Sequence, residues 1–232
     1  MKKIILLTGI TLIMLTGCKT TTPIAKSTAY KGMYDEKPLT ILLMPPINRS
    51  TNVEAKEYFH STLNVPIDNA GFYVIPPFLS MEILKKESAY DAELFLNSPL
   101  TKFGEVFGAD LALFTIIHKW DKSGLEAKVY IEVEYIIKST KTNEIVYTRK
   151  GEITYDTSIS TGTGGAFGAL ADMAISAINT AATKYIDVAR ACNAYTFKDL
   201  PAGKYSPNYG VDGEQIAGKK EFKIRLNSNY KY

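Results

Sequence analysis

Cysteine and histidine are scarce in this chain of 232 residues, which has only two of each. Two cysteines cannot build a disulfide framework, and no His-x-x-x-His, Cys-x-x-Cys or dense carboxylate loop supplies the three or four ligands of a metal site. His60 and His118 are therefore expected in structural roles. Charge of one sign is also missing. Setting aside Lys2 and Lys3, the 27 basic residues fall to 25 against 24 acidic ones, a net +1 that leaves no electrostatic footprint for nucleic acid. No Gly-x-Ser-x-Gly elbow or Gly-Lys-Ser/Thr phosphate loop occurs, and no hydrophobic run approaches the ~20 residues of a membrane-spanning helix.

What is present begins at the N-terminus. Lys2 and Lys3 precede an apolar stretch from Ile4 to Leu15, and Leu15-Thr16-Gly17-Cys18 closes it with small residues before a cysteine. This is the pattern of a bacterial lipoprotein export signal: residues 1–17 are removed and Cys18 takes the lipid. Lys19, where an aspartate would signal inner-membrane retention, points to the outer membrane, with the body on the periplasmic side or the cell surface. Residues 18–38 are polar and threonine-rich near their start, and read as a lipidated flexible tether.

Residues 39–194 read as one α/β domain. Leu39 to Met44 is a buried strand stopped by Pro45-Pro46, and Val53 to Leu63 a helix with Asn52 as its cap. Phe72 to Ile75 is a second strand, followed by a helix capped by Ser80. Phe103, Val106 and Phe107 share a helical face before Gly108, and Leu111 to Ile117 is a third strand. From Leu125 to Ile137 apolar and polar residues alternate, and Ile145 to Thr157 returns as the partner, so residues 125–157 form a long antiparallel hairpin. A glycine-rich loop, Thr161 to Gly165, leads into a helix from about Phe167 to Ala191. Residues 195–232 read as an extended tail packed on the domain, with Phe222, Ile224 and Leu226 suggesting a strand. The expected fold is a single α/β domain whose mixed sheet of about five strands is covered by helices.

Few residue groups can carry chemistry. Glu132 and Glu134 share a strand face at a spacing of ~6.5–7 Å, compatible with glycoside cleavage, yet Arg149 and Lys150 on the returning strand can lie across from them as solvated ion pairs. Cys192 continues an apolar stripe of Ile178, Ala182, Tyr185 and Ala189, which favours a buried thiol over an intermolecular disulfide or a nucleophile. The glycine loop lacks the spacing of a dinucleotide fingerprint and reads as a flexible connection. The helix after it is rich in small residues. Phe167, Ala169, Leu170, Met173 and Ala177 are candidates for a protein contact, and a core helix of the same domain is the alternative.

The lipobox at Cys18, the strand ending Leu43-Met44-Pro45-Pro46, Asn48, the segment Pro66 to Pro76, Gly108-Ala109-Asp110 and the stretch Asp199 to Pro207 resemble an uncharacterised bacterial lipoprotein family that includes a neisserial surface lipoprotein studied as a vaccine antigen. That resemblance implies an α/β fold similar to the N-terminal domain of TolB and association with a curli-channel-like outer-membrane lipoprotein. It carries over no catalytic residue. The expectation is a non-enzymatic outer-membrane lipoprotein without a cofactor, an accessory or assembly factor of an envelope complex, with a homo-oligomer among its forms. A periplasmic cell-wall or glycan binding module is the alternative reading, and a hydrolase the third.

Overall fold

The computed structural model describes residues 22–160, 162 and 165–230. In chain order its elements are α1 (Lys26–Ala29), α2 (Lys31–Glu36), β1 (Thr40–Leu43), β2 (Ile47–Asn48), α3 (Ala55–Thr62), α4 (Asn64–Asn69), β3 (Tyr73–Val74), α5 (Pro77–Lys86), α6 (Thr101–Phe107), β4 (Leu111–Ser123), β5 (Lys128–Ser139), β6 (Ile145–Asp156), α7 (Gly165–Ala182), α8 (Tyr185–Phe197) and β7 (Glu221–Asn227). A single 7-stranded sheet runs β3-β1-β4-β5-β6-β7, with β2 beside β4, rather than the expected five or so strands. It is mixed: β1 lies parallel to β3 and β4, β4-β5-β6 is antiparallel, and β7 is parallel to β6.

Period-two alternation decides what each side of the sheet meets. One face presents Ile41, Leu43, Leu113, Trp120, Val133, Tyr135 and Tyr147 to Phe59 and Leu63 near α3, Ile67 of α4 and Val188, Ala189 and Cys192 of α8. On the other, Leu42, Met44, Ala112, Phe114 and Ile116 meet Leu84 of α5 and Phe103 of α6. Further along that second face the strands carry ion pairs instead. Lys150 reaches Glu132 at 2.7 Å and Lys223 reaches Glu152 at 2.9 Å.

Several expectations need correction. The segment 18–38 is not tether throughout: α1 and α2 fall within it, and they bury Tyr30 and Met33. Residues 195–232 are not simply an extended tail, since α8 continues to Phe197 and β7 joins the sheet across seven register pairs with β6. The helix expected over 167–191 is two helices broken at Thr183-Lys184. Thr180 and Thr183 each donate a side-chain hydrogen bond to the carbonyl four residues back, at 2.7 and 2.8 Å, an arrangement that weakens and bends helices. The helix after β3 starts at Pro77, so Ser80 lies buried inside it instead of capping it.

Two stretches far apart in sequence, 66–76 and 199–207, meet as backbone. Gly203 N–H donates to the Ala70 carbonyl at 2.8 Å and Tyr205 N–H to that of Gly71 at 3.0 Å. Gly71 has a φ of +93°, and a Cβ there would sit 2.3 Å from the Ser206 nitrogen, so only glycine fits.

Candidate functional site

The outward surface of α7 departs most from what a soluble helix ordinarily shows. Leu170, Met173, Ala174, Ala177 and Ile178 fall at i, i+3, i+4, i+7 and i+8, one continuous stripe. Leu170, Met173 and Ile178 are 63, 56 and 69 % exposed. Ala169 and Ala174 are exposed as well, and Ala177 is half-buried. The side chain of Phe167 lies outside the described residues.

Polar residues line the opposite side of α7 and bind the chain that follows β6. Ser176 Oγ accepts from the Ile159 N–H at 2.8 Å and donates to its carbonyl at 3.2 Å. Asn179 Nδ2 donates to the Thr157 carbonyl at 2.6 Å, and the hydroxyls of Thr157 and Thr180 are paired. Lys122 Nζ, 4.7 Å from the Tyr185 ring centroid, donates to the Ala181 carbonyl at 3.2 Å. The inner side thus supplies hydrogen-bond partners to backbone groups of residues 157–159, which lie outside any strand, a role that suits hydroxyl and amide side chains. The usual amphipathic order is reversed. Of the five contact candidates, Leu170, Met173 and Ala177 fall on this stripe and Ala169 is exposed beside it; the core-helix alternative does not describe this outward side.

Other candidates resolve as structure. Glu132 pairs with Lys150, and Glu134 Oε2 accepts from His118 Nε2 at 2.9 Å. Arg149 does not join them, contrary to expectation. The register sets it opposite Tyr135, so it points into the core, donates to the Thr196 carbonyl at 2.7 Å and lies over the Phe222 ring. Burial holds the His60 imidazole below its usual pKa range. Among the described residues no group of three or more His, Cys, Asp or Glu is placed to hold a metal ion.

Cys192 is buried on α8 with no exposure, and burial pushes its thiol far above the usual range. The expected stripe is split: Tyr185, Ala189 and Cys192 belong to α8, which packs on the sheet, whereas Ile178 and Ala182 belong to α7 and Ile178 faces outward. Since the thiolate is the reactive form, a maleimide applied to the native protein at pH 8 should leave Cys192 unlabelled until the domain opens, and label it fully in denaturant. Rapid native labelling contradicts this placement.

A family model described as putative lipoprotein GNA1162-like matches residues 28–203. The chain belongs to this family. A putative lipoprotein of Neisseria meningitidis serogroup B is 27 % identical over 94 residues, 40 % of this chain and 44 % of that protein, so the chain spans less than half the length of that relative. The crystal structure of lipoprotein GNA1162 from Neisseria meningitidis is similar with a TM-score of 0.47 and 19 % identity, covering 63 % of this chain and 100 % of that one. A PelC dodecamer from Paraburkholderia phytofirmans gives a TM-score of 0.34 at 12 % identity, covering 66 % of this chain and 86 % of that one. The GNA1162-like match begins at residue 28, inside α1, ahead of the domain start expected at residue 39.

Proposed function

We propose that this GNA1162-like protein is a non-enzymatic lipoprotein, held by lipid on Cys18 at the outer membrane, that serves as an accessory or assembly factor of an envelope complex. The reading rests on one observation above all: α7 spends its polar residues on the body of its own domain and offers its apolar stripe outward. Contiguous exposed apolar surface of this kind marks protein association more often than chance exposure. Alanines along the stripe lower the bulk between helices and permit close approach. The occupant is a second copy of this chain or an envelope protein. A curli-channel-like lipoprotein is the partner that the family resemblance brings forward.

Replacing Leu170 and Met173 together with glutamate should abolish association, read by crosslinking in intact cells and by sedimentation of the purified protein. The thermal midpoint should hardly move, because exposed substitutions usually stay within ~0.5 kcal/mol. Unchanged crosslinking with both charges in place sinks the proposal. So does a large loss of stability, which is the signature of an unpaired charge forced into a core.

A further inference from the structure

A pocket of about 420 Å³ opens where α4, α8, the start of α1 and the segment after α8 converge. Its size lies within the ~300–1,000 Å³ range of small-molecule sites. Lys26 is fixed at its edge by backbone hydrogen bonds, its own N–H donating to the Gln215 carbonyl at 2.8 Å and that of Ser27 to Gly213 at 3.0 Å. The Lys26 side chain is only 8 % exposed, yet its ion-pair partner, Asp212 Oδ2, is 3.8 Å away, beyond hydrogen-bonding distance. That oxygen already accepts from the Ala202 N–H at 2.9 Å. Asp212 also faces Tyr34, whose phenol is pushed up by burial and by this carboxylate. The stem of Lys26 is covered while its ammonium is not among the buried unpartnered atoms, so its donors face the pocket and are open to an acceptor there.

The rest of the lining defines what that acceptor belongs to. Lys198 adds a second cation, while Arg190 is engaged with Asp187 at 2.7 Å. Asn69, Asn208 and Gln215 contribute amide donors and acceptors, and Val65 and Leu200 contribute apolar wall. These three amides are exposed at the rim, where a peptide backbone finds hydrogen-bond partners and a hydrocarbon tail finds none.

We propose that this pocket binds a short peptide through its free C-terminal carboxylate, with the carboxylate on Lys26, the peptide groups against the three amide side chains and a small side chain between Val65 and Leu200. The site is independent of the α7 surface. In the envelope, small carboxylate ligands come from peptides and from fatty acids, so the test includes both.

The probe is N-acetyl-trialanine with a free carboxylate, titrated into the full chain carrying Cys18→Ser and followed by amide chemical shifts. Saturable shifts should cluster on residues 65–70, 190–198 and 202–215. The C-terminal amide of the same peptide should bind at least about tenfold more weakly, since it loses a charge-assisted hydrogen bond. Lys26→Met should erase the shifts. Val65→Trp, a substitution at a half-exposed position that fills the opening, should erase them also while leaving the thermal midpoint unchanged, so the outcome does not depend on Lys26→Met folding. Equal binding of acid and amide, shifts that survive Val65→Trp, shifts from decanoate but not from the peptide, or no saturable shift at the peptide's solubility limit overturns the proposal.

Discussion

Cys18→Ser is expected to move the protein almost completely from the membrane fraction to the soluble periplasmic fraction, with the folded domain unchanged by circular dichroism. The size of the effect follows from the anchor. Each buried methylene contributes ~0.8 kcal/mol, and a single myristoyl-length chain gives an association constant of only about 10⁴ M⁻¹, so a stable hold takes two or three chains. No helix among the described residues is long and apolar enough to cross a membrane, and the outward stripe of α7 is interrupted by no basic face that would draw it to anionic lipid. Mass spectrometry of the wild-type protein should find the lipid on Cys18 as the first residue. Retention of the serine variant in the membrane fraction after a high-salt wash, or an unmodified Cys18, refutes the anchor.

The parts of the fold legible in the sequence are those whose signal is local. Strand-scale alternation places β5 and β6, proline pairs bracket β1 and β3, and Gly108 ends α6 in the left-handed region as its position suggested. Non-local contacts defeated the rest. Neither α1 nor α2 has a helical pattern long enough to detect, and they hold because Ala25 bridges Ile216 and Tyr30 stacks near Tyr147, both more than a hundred residues away. Strand β4 runs on to Ser123 although it turns polar after Ile117, since β5 supplies its ladder across a bulge between Ile117 and Lys119. Arg149 is a different lesson. It has the same parity as Tyr147, Ile153 and Tyr155, so alternation alone assigns it to the core, and the assumption that a charge belongs in water overrode the stronger signal. The direction of the α7 stripe was not legible at all, because an apolar stripe has the same period whether it faces a core or a partner.

Asn193→Leu is expected to destabilise the domain by ~3–5 kcal/mol. Asn193 looks like an interruption in the apolar run of α8, but it is fully buried and ties three elements together. Its Nδ2 donates to the Phe59 carbonyl at 3.1 Å and to Thr62 Oγ1 at 2.8 Å, and its Oδ1 accepts from the Tyr135 hydroxyl on β5. Burial pushes that phenol well above its normal range, which favours the protonated hydroxyl that donates here. Leucine keeps the branched shape of the side chain but leaves the Tyr135 hydroxyl without an acceptor in a buried site, a cost of ~1–3 kcal/mol for one orphaned group, with the lost bonds to α3 in addition. At roughly 2–4 °C per kcal/mol for a domain of this size, the thermal midpoint should fall by about 10 °C. Tyr135→Phe alone should cost ~1 kcal/mol, and the double variant should be more stable than the sum of the singles predicts, because removing both partners leaves no orphan between them. An Asn193→Leu cost below ~1 kcal/mol, or strict additivity in the cycle, means the tie between α8, α3 and β5 is made by apolar packing rather than by this side chain.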